Sequence, residues 1–177
     1  MIRCQITDGT AHLNEEDWFA GLAPDVEFLQ VREKGLSARD LGRVVRRALA
    51  VGPRILVNDR TDVAVATGAA GVHLRGDSIR PSELRKIVPA GFVITVACHS
   101  EADCLECAGA DYAILSPVFS PLSKQDTRPA LGLDTLRRIV RVSPVPVIAL
   151  GGITGGTAAE CIAAGAVGVA GITLFRR

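Results

Sequence analysis

Eight short apolar runs, rich in Val and Ile, recur along the chain with polar or amphipathic stretches between them, and this alternation limits the fold more than any other feature. The runs cover residues 3–7, 27–32, 55–58, 71–74, 93–97, 112–115, 146–150 and 167–172. Most are too short for helices and read as buried strands. The clearest intervening helix spans residues 36–52, where Ser37 is a natural N-cap and Leu41, Val44, Val45, Ala48 and Leu49 repeat at helical spacing. Further helices are expected over 60–68, 81–88, 101–108, 133–142 and 157–164.

Strands alternating with helices pair in parallel through crossovers. A doubly wound open sheet would use the same alternation. Polar residues gather after nearly every run, at the strands' C-terminal ends, and that favours an α/β fold of the parallel (β/α)8 TIM-barrel type. No linker or composition shift divides the chain, so residues 1–177 are expected to form one domain. Only residues 173–177 follow the last run, so the eighth helix should be short or missing. A homo-oligomer contact, an earlier helix or a shortened chain would each account for that.

Apolar residues make up 48% of the sequence, enough to exclude a disordered or purely charged chain. The formal net charge of +1 gives no global field to draw nucleic acid or a membrane surface, so anion handling must be local. No run approaches the roughly 20 apolar residues that span a bilayer. Arg3, Gln5 and Asp8 make the start too polar for a secretory signal, and five cysteines suit a reduced setting; the expectation is a cytoplasmic protein.

The second run continues Gln30-Val31-Arg32-Glu33-Lys34. With a period of two, Gln30, Arg32 and Lys34 share the face turned to the barrel axis, where two cations need an anionic partner such as a phosphate or diphosphate. A solvated strand end with Arg32 paired to Glu33 is the plainer reading. The third run ends Asn58-Asp59-Arg60, and Asp59 suits a hard cation such as Mg²⁺ bridging to substrate phosphates, or else caps the next helix. The long segment 116–132 follows a strand and has the length of a lid, with Ser123 and Lys124 able to close on a phosphate. Gly151-Gly152 after the seventh strand and Thr173 after the eighth occupy the recurrent phosphate cradle of barrel enzymes. Two anion sites in one mouth point to the joining of two phosphorylated small molecules, or exchange between them.

His73 and His99, at or past strand ends, read first as structural hydrogen-bonding groups. The cluster Cys98, His99, Cys104 and Cys107 lacks the paired spacing of a zinc site. Arg39, Arg43, Arg46 and Arg47 make a basic helix face without aromatic interleaving, which suits solvent better than nucleic acid.

Gln30-Val31-Arg32-Glu33-Lys34, Asn58-Asp59-Arg60, Gly71-Val72-His73-Leu74, Pro117-Val118-Phe119 with Lys124, Gly151-Gly152-Ile153 and residues 165–170 fall in an order that resembles the thiamine phosphate synthase and TenI family across nearly the whole chain. The resemblance implies a barrel that joins hydroxymethylpyrimidine diphosphate to hydroxyethylthiazole phosphate, releasing diphosphate, with Mg²⁺ as cofactor. It implies that Gln30, Arg32, Lys34, Asn58 and Lys124 hold the diphosphate, with Ser123 beside them. Gly152 and Thr173 would hold the thiazole phosphate. Asp59 would bind the metal. After the fourth strand the synthase pattern is Gly-Gln-x-Asp, whereas this chain has Arg75-Gly76-Asp77-Ser78, so Asp77 would be the second metal ligand only if the loop shifts by one residue. A diverged TenI-like protein, tautomerase-related or a non-catalytic binder of thiamine intermediates, is the alternative.

Overall fold

The structure, a computed structural model, describes residues 1–120 and 128–176. Strands β1 (Ile2–Ile6), β2 (Phe28–Val31), β3 (Arg54–Asn58), β4 (Gly71–Leu74), β5 (Val93–Cys98), β6 (Tyr112–Leu115), β7 (Val147–Leu150) and β8 (Gly168–Gly171) alternate with α1 (Glu15–Ala20), α2 (Ala38–Ala48), α3 (Thr61–Thr67), α4 (Pro81–Leu84), α5 (Glu101–Leu105), α6 (Gly132–Val142) and α7 (Gly155–Ala163). Every neighbouring strand pair is parallel and β1 also pairs with β8, which closes the barrel and excludes the open sheet.

The strand pleat sorts side chains into two cores. Cys4, Ile6, Phe28, Leu56, Val93, Ile114, Ile148 and Ala170 fill the barrel interior. The alternate residues, among them Leu29, Val31, Ile55, Val57, Val72, Ile94 and Leu115, pack outward beneath the helices. Burying one such aliphatic side chain contributes roughly 1.5–3 kcal/mol, so two nested layers supply most of the driving force for closure.

Most helices end earlier than their apolar spacing suggests. Ser37 caps α2 as expected, its hydroxyl accepting from the Asp40 amide at 3.1 Å, but the helix stops at Ala48 rather than running to Gly52. In α4 the last turn tightens: Lys86 and Ile87 donate to carbonyls three residues back, before Pro89 closes off the helix. α7 starts two residues early because Thr154 and Thr157 form a reciprocal capping box. Helix α1 was not foreseen; its Trp18 and Phe19 are buried.

Where an eighth helix would cover the barrel, residues 172–176 cross the outer face of β1. Gln5, buried, donates to the Ile172 carbonyl at 2.6 Å and accepts from the Phe175 amide at 3.3 Å. Ala23 donates to the Phe175 carbonyl at 2.9 Å, and Arg176 lies 4.6 Å over the Trp18 ring. Among the described residues no helix is long and apolar enough to cross a membrane.

Candidate active site

The inward side chains at the C-terminal ends of β2–β5 are polar where the rest of the interior is apolar. On β2, Gln30 follows Phe28 on the inner face and is buried; its carboxamide donates to Asn58 Oδ1 of β3 at 3.0 Å. Gln30 Oε1 is buried with no partner among the described residues. A buried acceptor left empty costs about 1–3 kcal/mol, so this oxygen suits a ligand N–H.

Arg32 follows the end of β2. Its charge acts on His73, and it has no carboxylate partner among the described residues. Its backbone amide is held by Thr7 Oγ1 at 2.8 Å. The plainer reading of an Arg32–Glu33 pair does not hold: Glu33 turns away, its side chain fully buried, and bonds His12 Nδ1 at 2.6 Å. Lys34 lies two residues further on, exposed and likewise without an acidic partner among the described residues.

His73 on β4 and Thr95 on β5 face inward as neighbours, joined by a 2.9 Å contact between Nδ1 and Oγ1. Burial, reinforced by the Arg32 charge, lowers the His73 pKa to about 4, so the imidazole is neutral at ordinary pH. His99, past the end of β5, is exposed and donates from Nδ1 to the Ser116 carbonyl at 2.8 Å. Both histidines make the structural bonds expected of them. Cys98 packs outward, its sulfur 3.3 Å from that of Cys107, and the cysteine cluster holds no His99 imidazole.

Asp59, just past β3, has a positive φ of 57°, a region that Gly, Asn and Asp enter more readily than other residues, and its amide donates to the His73 carbonyl at 2.8 Å. Such backbone conformations persist where the surroundings fix them, commonly at functional sites. Asp59 does not cap α3, whose N-cap is Arg60 without a side-chain cap. Its carboxylate accepts from Ser78 Oγ at 2.6 Å and lies 3.1 Å from Arg75 Nε, which is also 3.1 Å from Asp77. The two acids expected to share a metal are thus brought together, but across Arg75, a residue the sequence reading assigned no role. Among the described residues no three His, Cys, Asp or Glu side chains cluster to hold a metal.

On the opposite rim, the segment after β6 packs directly onto Gly151 and Gly152. Val118 donates to Leu150 at 2.9 Å and Phe119 to Gly151 at 3.0 Å. A Cβ on Gly152, whose φ is 62°, would sit 2.4 Å from the Ser120 carbonyl oxygen. Close approach therefore requires glycine here, and the Gly152 and Ile153 amides make no hydrogen bond among the described residues. Thr173 lies exposed at the end of β8. Ser123 and Lys124 lie outside the described residues.

The thiamine monophosphate synthase family model matches residues 6–175. The thiamine-phosphate synthase of Methanoculleus marisnigri is 43% identical over 157 residues, covering 85% of this chain and 74% of its own. That of Methanoregula boonei is 39% identical over 157 residues, with 85% and 73% covered. The solved thiamine phosphate pyrophosphorylase of Pyrococcus furiosus superposes with a TM-score of 0.80 at 29% identity, covering 97% of this chain and 85% of its own.

Proposed function

The chain belongs to the thiamine monophosphate synthase family, and from that premise we propose that it joins hydroxymethylpyrimidine diphosphate to hydroxyethylthiazole phosphate, releasing diphosphate. The observation that carries this reading is Arg32, a cation that acts on His73 and has no acidic partner among the described residues. A guanidinium so placed is stabilised when an anion arrives, and diphosphate is the most highly charged part of either substrate.

In this mechanism the bond between the pyrimidine methylene carbon and the diphosphate oxygen breaks with its electron pair leaving on diphosphate. The ring's donor substituents stabilise the resulting cation. The thiazole nitrogen supplies its lone pair to that carbon, so no proton has to move and no general base is required. The chain's contribution is to neutralise the leaving group and to hold the nucleophile in line. Arg32, Lys34 and Lys124 take the first task, with Asn58 and Ser123 supporting them. The Gly152 amide and the Thr173 hydroxyl take the second by binding the thiazole phosphate on the far rim. Gln30 and neutral His73 line the floor between, where the buried Gln30 oxygen suits the pyrimidine's amino group.

The family resemblance implies Mg²⁺ between Asp59 and Asp77. The residues as they stand do not fit it, since Ser78 and Arg75 already engage the Asp59 carboxylate. The reading further takes residues 1–177 as one domain acting on small phosphorylated molecules in the cytoplasm. Incubating the protein with both precursors and following thiamine phosphate and diphosphate tests it; absence of product with or without added metal would reject it.

A further inference from the structure

The space between the ends of β3 and β4 is filled from within the chain. Arg75 Nε lies 3.1 Å from Asp59 Oδ2 and 3.1 Å from Asp77 Oδ1, and its Nη2 lies 3.4 Å from Asp77 Oδ2. The other Asp59 oxygen accepts from Ser78 Oγ at 2.6 Å. These contacts come from two of the three positions where Arg75-Gly76-Asp77-Ser78 departs from Gly-Gln-x-Asp: an arginine replaces glycine, and a hydroxyl replaces the second carboxylate.

We propose that Arg75 takes the place of the divalent cation, so that this enzyme holds no metal ion between Asp59 and Asp77. A guanidinium is a permanent cation with a planar fork that serves two carboxylates at once. Mg²⁺ requires near-octahedral oxygen ligands and gives up water reluctantly. To bind here it would displace both Arg75 and the Ser78 hydroxyl and then stand close to a cation that cannot deprotonate. The Asp59 backbone is fixed by the bond to His73, and its carboxylate is engaged at both oxygens, by Ser78 and by Arg75. Arg75 is 60% exposed, and any one of its ion pairs would be weak alone. The argument rests on their convergence: both Asp59 oxygens are occupied, and one charged group ties both acids.

One guanidinium between two carboxylates leaves one negative charge where Mg²⁺ would leave none. What this cation does for turnover rests on the synthase reading; where it sits does not.

The test is a titration of the full chain with Mn²⁺ alone, following free Mn²⁺ by electron paramagnetic resonance, with turnover measured in parallel in excess EDTA. Wild type should show no saturable Mn²⁺ site and should keep its turnover in chelator. Arg75→Gly should gain a Mn²⁺ site at least tenfold tighter than any wild-type binding, and adding Asp59→Asn should remove it. A saturable site in wild type that Asp59→Asn abolishes would overturn the proposal, as would turnover that vanishes in EDTA and returns with Mg²⁺. If no thiamine phosphate forms under any condition, the synthase reading fails, while the Mn²⁺ titration still decides the place of Arg75.

Discussion

At Arg32 the charge balance acts on one side chain: its charge reaches His73, and the missing acid leaves it for a ligand. Replacing it with Ala removes one charge from the leaving-group site without emptying a packed core. Turnover should fall by roughly 10²–10³, the usual loss for one preorganised group facing developing charge. The unfolding midpoint should stay nearly constant, and steady-state kinetics beside a thermal melt separate the two effects. His73 carries a different expectation. In the unfolded chain an imidazole protonates near its ordinary 6.5; here it does so at about 4. Between those values the unfolded chain binds more protons, so acid favours unfolding. The contribution is complete above pH 6.5 and declines by about 3 kcal/mol on the way down to pH 4. Urea midpoints measured across that window should show the slope, and His73→Gln should flatten it.

Among the elements, the segment after β6 and the Gly151-Gly152 turn work as a pair, each seated on the other. Gly152→Ala would drive a methyl group into the Ser120 carbonyl at a positive φ, costing about 1–3 kcal/mol. The KM for the thiazole phosphate should rise as the turn moves, more than that for the pyrimidine diphosphate, and varying each substrate in turn would show the difference. The paired glycines stand out in the sequence, but their contact with residues 117–120 does not, because a close approach between two loops leaves no periodic trace. Strand order was legible for the opposite reason: a buried parallel strand must be a short apolar run, so Gly71–Leu74 and Tyr112–Leu115 coincide with their sequence runs. Helix ends were less so, since apolar spacing persists through the tightened turn at Lys86 and Ile87 after hydrogen bonding has left the α-helical pattern. A residue set by the pleat, such as Gln30 on the inner face of β2, could be placed from the sequence. Arg75 could not, because its partners lie on two different loops.

For the molecule as a whole, closure depends on the β8–β1 seam, the place where a barrel with seven described helices has the least cover. The seam's four paired positions join Ile2–Gln5 to Gly168–Gly171, and residues 172–176 lie across its outer side. Gln5 is the joint between the two: an outward, fully buried amide on β1 that would be costly without the Ile172 carbonyl and the Phe175 amide. Phe175 completes the cover with its ring, 8% exposed and 5.7 Å below the Arg3 guanidinium. Phe175→Ala should therefore cost about 3 kcal/mol through the lost burial and cavity, and Gln5→Leu should cost less in combination with it than alone, because the two changes dismantle one contact. Denaturant melts of both single variants and the double variant measure that coupling; strict additivity would show that the tail and the strand are held independently. Hydrogen exchange at the β1 amides should speed up in Phe175→Ala while that at β4 and β5 stays slow, since a seam that opens locally leaves the opposite wall of the barrel, and with it the His73–Thr95 pair, in place.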